Sequence, residues 1–254
     1  MKYLCEIRYV GTDFAGFQFQ PGKRTVQGEM TRAAETVFGG KCAVTGCSRT
    51  DSGVHASCFF LTVATPQGNL PIPPEKLPLA LNGHLDGDVA VCAARAVEDG
   101  FHPRYDAQGK EYRYLMRNAP VDDPFLRHRA WQIRRPFLPD GLDRMRRAAS
   151  LIPGKKDFSA FMAAGSSVCD TVREVFLCEV TQAETLYTVR IAADGFLYNM
   201  VRIIVGTLAD VAFGAREPEE IPDIIASGNR QNAGRTAPAE GLYLTKVFYR
   251  NNAK

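Results

Sequence analysis

Near the start of the chain Tyr3, Cys5, Ile7 and Tyr9 alternate with Lys2, Glu6 and Arg8, the period of two that marks a half-buried strand. The period then changes. Val26, Met30, Ala33, Val37 and Phe38 share one face of a helix predicted over 25–38, with Thr25 placed to cap its start and Gly39-Gly40 to stop it. Between the two, residues 11–22 carry too much glycine for a regular element. Strand-like runs at 42–47 and 58–63 follow, the second apolar enough to be buried, and they flank a loop. Prolines and glycine at 66–74 mark a surface connection, after which come a short helix near 75–81 and a strand near 89–97. The first half therefore reads βαββαβ.

The alternation resumes in the second half. Strands are predicted near 110–117 and 130–133, a helix at 140–151, strands near 172–180 and 187–192, a helix at 198–213, a short helix at 218–226 and a last strand at 242–249. Two α+β halves, 1–105 and 106–254, with a cleft between them, are the economical organisation.

Composition narrows the class. With 254 residues and 45% hydrophobic content the chain can bury a sizeable core. Charges within residues 1–8 interrupt what a signal peptide needs as an unbroken apolar stretch, and the most apolar run, 201–213, contains Arg202 and Asp210. The expectation is a soluble cytoplasmic protein without a membrane span. Seven cysteines with no C-x-x-C pair argue for reduced thiols over a disulfide framework or a zinc site. The net charge is only +3, but arginines number 22 of the 31 basic residues, and arginine is the better phosphate ligand because its planar fork donates in pairs and stacks on bases. Arg127, Arg129, Arg134, Arg135, Arg144, Arg146 and Arg147 are opposed locally only by Asp140 and Asp143. That run suits a solvated helix face as well as an RNA-binding patch.

The candidate chemistry centres on Arg49-Thr50-Asp51-Ser52-Gly53-Val54-His55-Ala56, which puts one carboxylate among an arginine, a glycine and a histidine in the loop between two strands. A turn needs only the Asp and Gly. Arg49 can contact phosphate or keep Asp51 ionised, which suits nucleophilic or base chemistry, and no second acid lies nearby to complete a glycosidase-like pair. The four histidines, His55, His84, His102 and His128, show no zinc-binding spacing and read as local hydrogen-bonding residues. Tyr112 and Tyr114 share one face of a strand, as core residues or as a platform for a base. Arg202 lies in an apolar helix, where its charge must reach solvent or meet an anion such as Asp51.

Taken in order, these stretches resemble the tRNA pseudouridine synthase A (TruA-type) family. The resemblance runs through Gly11-Thr12-x-Phe14-x-Gly16, Arg24-Thr25-Val26-Gln27-Gly28, the octet around Asp51, Lys110-Glu111-Tyr112-Arg113-Tyr114, Asp157-Phe158, Phe196-Leu197-Tyr198-Asn199-Met200-Val201-Arg202 and Thr236-Ala237-Pro238-Ala239-x-Gly241-Leu242. It implies an α+β pseudouridine synthase fold, two α/β halves around a continuous, mainly antiparallel sheet with a central basic cleft. It also implies a homodimer that binds tRNA and converts uridine to pseudouridine in the anticodon stem-loop, at about positions 38 to 40, with no metal or organic cofactor. By the same resemblance Asp51 is the catalytic aspartate, Tyr112 stacks on the target uracil, Arg202 pairs with Asp51, and Arg49 displaces or holds the flipped nucleotide. The chain departs from the family pattern at Phe17, where tryptophan is common, at Ser48, which replaces a glycine, and at Lys156, which replaces a histidine or asparagine. Two other classes compete: an RNA-binding protein that kept the scaffold without catalysis, and an aspartate-dependent hydrolase of small phosphorylated or glycosidic substrates.

Overall fold

A computed structural model describes residues 1–165 and 168–250. In chain order its regular elements are β1 (Lys2–Tyr9), α1 (Val26–Phe38), β2 (Ala43–Gly46), β3 (His55–Ala64), α2 (Leu77–Asn82), β4 (Val89–Val97), β5 (Ala107–Asn118) and β6 (Trp131–Ile133). There follow α3 (Gly141–Ser150), β7 (Gly154–Asp157), β8 (Val172–Ala183), β9 (Leu186–Ala193), α4 (Met200–Ala212), α5 (Ile221–Ser227) and β10 (Leu242–Tyr249), with short 3-10 turns between. The strand pairings are mostly antiparallel, and the class is the expected α+β.

The chain divides into two compact units, Met1–Gln108 together with the stretch from Tyr243 onward, and Gly109–Leu242. The first break falls between Gln108 and Gly109, and the C-terminal stretch from Tyr243 returns to the first unit. The cause of that return is the pairing of β10, which runs parallel to β3 through Tyr243 opposite His55 and Leu244 opposite Ala56. Tyr249 adds to the return by donating to the Pro103 carbonyl at 2.7 Å and packing its ring on Phe60 and Phe101.

In the first unit β1 lies antiparallel between β3 and β4. The other edge of β3 is shared, β2 pairing its C-terminal part and β10 its start. Helix α1 begins as predicted: Thr25 has extended backbone and its hydroxyl accepts from Gly28 N at 3.1 Å. It ends at Gly39, whose φ of 68° is the left-handed conformation glycine tolerates. Val26, Met30, Ala33 and Ala34 are its buried residues. Tyr3 stacks on Phe38 and Phe17 on Phe59, and each fully buried side chain of this size contributes roughly 1.5–3 kcal/mol.

In the second unit β9 lies antiparallel between β5 and β8, β7 pairs with β8, and the three-residue β6 runs parallel to the end of β5. Strand β7 was not predicted, because Gly154-Lys155-Lys156-Asp157 is polar throughout and its strand state comes from pairing alone. Helix α4 buries eleven of its 13 residues, so it is apolar on nearly every side and forms the centre of this unit. It starts at Met200, two residues later than expected, because Asn199 adopts φ 59°. No helix among the described residues is long and apolar enough to cross a membrane.

Candidate active site

Asp51 sits half-buried in the loop between β2 and β3, and that loop is clamped along its backbone by residues 11–17. Phe17 N donates to Thr50 O at 3.0 Å, Gly53 N to Phe14 O at 3.4 Å, and the Ser52 hydroxyl to Phe14 O at 3.1 Å. Val54 N closes the turn on the Asp51 carbonyl at 3.2 Å, while Tyr9 OH and the Thr50 hydroxyl meet at 2.7 Å. Two glycines permit this closeness. A Cβ on Gly11 would lie 2.0 Å from the Val54 carbonyl oxygen, and one on Gly16, whose φ is 97°, would lie 2.7 Å from that of Thr50. The glycine-rich stretch is therefore the brace of the aspartate loop. Arg24 in turn fastens the brace: it pairs with Asp88, lies over the Phe14 ring at 4.3 Å, and its carbonyl accepts from Ala15 N. Gln27 holds Phe19 N and the Val44 carbonyl with its amide.

His55 is the first residue of β3 and is buried, so the sequence placed it one element too early. Its Nδ1 accepts from Gly11 N at 3.0 Å, which leaves the ring proton on Nε2 when the side chain is neutral. The ring stacks on Tyr243 with centroids 4.6 Å apart. This is the local hydrogen-bonding role expected of it. Arg49, by contrast, is exposed, and among the described residues it makes no hydrogen bond or ion pair.

The second unit carries Tyr112, Tyr114 and Arg202. The two tyrosines face the same way on β5, and both are buried. Tyr114 is core: its hydroxyl donates to the Pro238 carbonyl at 2.7 Å, and burial holds its pKa well above the ordinary tyrosine value although Arg202 pulls the other way. Tyr112 meets the Phe196 ring edge-on at 5.1 Å. Arg202, third residue of α4, donates from Nε to the Ala237 carbonyl at 2.7 Å and from Nη1 to Asn199 Oδ1 at 2.8 Å. Its head group is therefore oriented by fixed acceptors, and a simple extension into solvent does not describe it.

Several arginines of the arginine-rich run are paired with carboxylates. Arg134 pairs with Asp122, Arg144 with Glu217, Arg146 with Asp143 and Arg147 with Glu219. Arg135 lies over the Phe213 ring. Among the described residues no cluster of three His, Cys, Asp or Glu side chains could hold a metal ion. The reading of the sequence missed the acceptors of Arg202 and the clamping role of residues 11–17. A signal existed for both, since each stretch recurs in the resemblance, but its physical content lay in contacts with distant backbone.

A sequence profile described as tRNA pseudouridine synthase matches residues 7–106 and 148–250. The tRNA pseudouridine synthase A of Thermoanaerobacter sp. (strain X514) is 44% identical over 246 residues, 97% of this chain and 98% of the relative. That of Shouchella clausii (strain KSM-K16) is 45% identical over 249 residues, 98% of this chain and 93% of the relative. That of Bacillus subtilis (strain 168) is 42% identical over 253 residues, 99% of this chain and the whole of the relative. An α+β fold with an aspartate on a braced loop is thus joined to a family of RNA-modifying isomerases. The chain belongs to the tRNA pseudouridine synthase family.

Proposed function

We propose that this chain isomerises uridine to pseudouridine in the anticodon stem-loop of tRNA, at about positions 38 to 40, with Asp51 as the catalytic carboxylate. The observation that carries the reading is the bracing of the Asp51 loop by residues 11–17 in a chain of this family, since catalysis requires a reacting group held in place before substrate arrives. The uracil leaves its stack at a cost of a few kcal/mol, and Tyr112 supplies the ring against which it rests. Arg49 takes the phosphate or the space of the displaced nucleotide. Asp51 belongs to the first unit and Arg202 to the second. We assign Arg202 as the counter-ion that keeps Asp51 ionised.

In the reaction the N1–C1′ bond breaks, the base turns, and the C5–C1′ bond forms. C5 loses its proton to solvent and N1 gains one. Atoms and electrons balance without a co-substrate. Asp51 acts as nucleophile at C1′ or as base at C2′; a primary isotope effect from deuterium at C2′ belongs to the second route only. The protein is further proposed to act as a cytoplasmic homodimer whose subunits together bind one tRNA, a state that light scattering on the free protein and its tRNA complex would read.

The deciding experiment is tritium release from tRNA labelled at uracil C5, in EDTA, by the wild type and by Asp51→Asn. The expected outcome is release by the wild type and a loss of at least about 1000-fold in the variant, with tRNA affinity kept. Binding without release by either protein would favour the RNA-binding class. Turnover of small phosphorylated or glycosidic compounds without RNA would favour the hydrolase.

A further inference from the structure

Asn199 gives up two local preferences at once. A residue that begins a helix ordinarily has extended backbone and turns its side-chain oxygen onto the open N–H groups of the first turn. Asn199 has φ 59° and ψ 9°, and its side chain makes no capping bond. Its carbonyl still accepts the first helical bond, from Ile203 N at 3.0 Å. Left-handed backbone is costly for any residue with a Cβ, and least so for asparagine and aspartate. What the side chain does instead is accept from Arg202 Nη1 at 2.8 Å.

Arg202 needs that help. It stands in the first turn of α4, where the helix dipole disfavours a cation, on a helix that is buried at every other position but Asp210. Its second acceptor, the Ala237 carbonyl, is placed by backbone packing: Ala237 N donates to Arg202 O at 3.0 Å, and Gly234 N donates to the Thr207 hydroxyl at 2.8 Å. Nε and Nη1 of the guanidinium are thus each held by a neutral oxygen. Neutrality matters, because an aspartate at 199 would satisfy the same geometry while competing with Asp51 for the positive charge.

We propose that Asn199 is a positioning residue for the isomerisation, fixing the orientation of the Arg202 guanidinium. The proposal rests on the assignment of Arg202 as counter-ion of Asp51. Asn199→Gly separates it from a structural role, since glycine accepts the left-handed backbone freely and no capping bond is lost. The measurement is kcat and KM on full-length tRNA, with thermal melting, for Asn199→Gly, Arg202→Met and the double variant. Expected are a melting temperature at or above that of the wild type, kcat reduced about 10–100-fold, KM nearly unchanged, and no further loss from Asn199→Gly once Arg202 is gone. Wild-type kcat in Asn199→Gly, or a loss that persists undiminished in the Arg202→Met background, would overturn the proposal while leaving the Asp51 reading intact. Wild-type kcat in Arg202→Met would overturn the counter-ion assignment and this inference together.

Discussion

A side chain on Gly11 would put its Cβ 2.0 Å from the Val54 carbonyl oxygen, and that close approach helps determine where a carboxylate 40 positions later is held. The obstruction is a backbone carbonyl, so no rotamer change relieves it. Gly11→Ala is therefore expected to destabilise the fold by roughly 1–3 kcal/mol in urea unfolding, and to lower kcat by more than the lost stability explains. Unchanged kcat in a variant that folds would mean the brace does not determine how Asp51 is presented. Residue types alone showed the glycines as a loop. They did not show its partner, because close approach between two backbones leaves no mark beyond the missing side chain.

At the scale of elements, α4 carries the same principle. A Cβ on Gly206 would fall 1.8 Å from the Arg235 carbonyl oxygen, so the segment before β10 lies directly against this helix. Gly206→Ala is expected to push that segment away and move the Ala237 carbonyl from Arg202, lowering kcat about 10-fold or more together with stability. Kinetics set beside urea unfolding would check it, and a variant of wild-type kcat would refute the coupling. The helix itself was legible from its apolar run, as was the capped α1. Its start was not, since Asn199 lends its side chain to Arg202 and so breaks the capping pattern by which helix starts are read. The arginine run was counted correctly but its partners were not, for Glu217 and Glu219 lie some 70 residues downstream of Arg144 and Arg147.

For the whole molecule, the cysteines give a prediction that tests burial in both units. Cys5 and Cys178 are buried and their thiols are pushed up to about 12, whereas Cys92 and Cys169 are exposed. At pH 8 a thiol with such a value is ionised in only about one molecule in 10⁴, and the thiolate is the reacting form. Iodoacetamide at pH 8 followed by peptide mapping should label Cys92 and Cys169 quickly, and Cys5 and Cys178 only as the chain unfolds. Rapid labelling of Cys5 in the folded protein would contradict the core described for the first unit. The expectation of reduced thiols came from their odd number and spacing; which of them are sheltered came from the fold.

Periodicity, capping residues and glycine placement are local properties, and they suffice for most strands and helices and for the α+β class, while the resemblance to a family singled out Asp51, Tyr112 and Arg202 as the residues to watch. Other features depend on contacts made across long stretches of chain. The return of β10 to β3, the strand state of polar β7, the bracing of the aspartate loop and the Ala237 acceptor of Arg202 are of that kind. Each rests on backbone groups, and backbone groups are the same at every residue. Their partners are therefore chosen by packing, which only the folded chain decides.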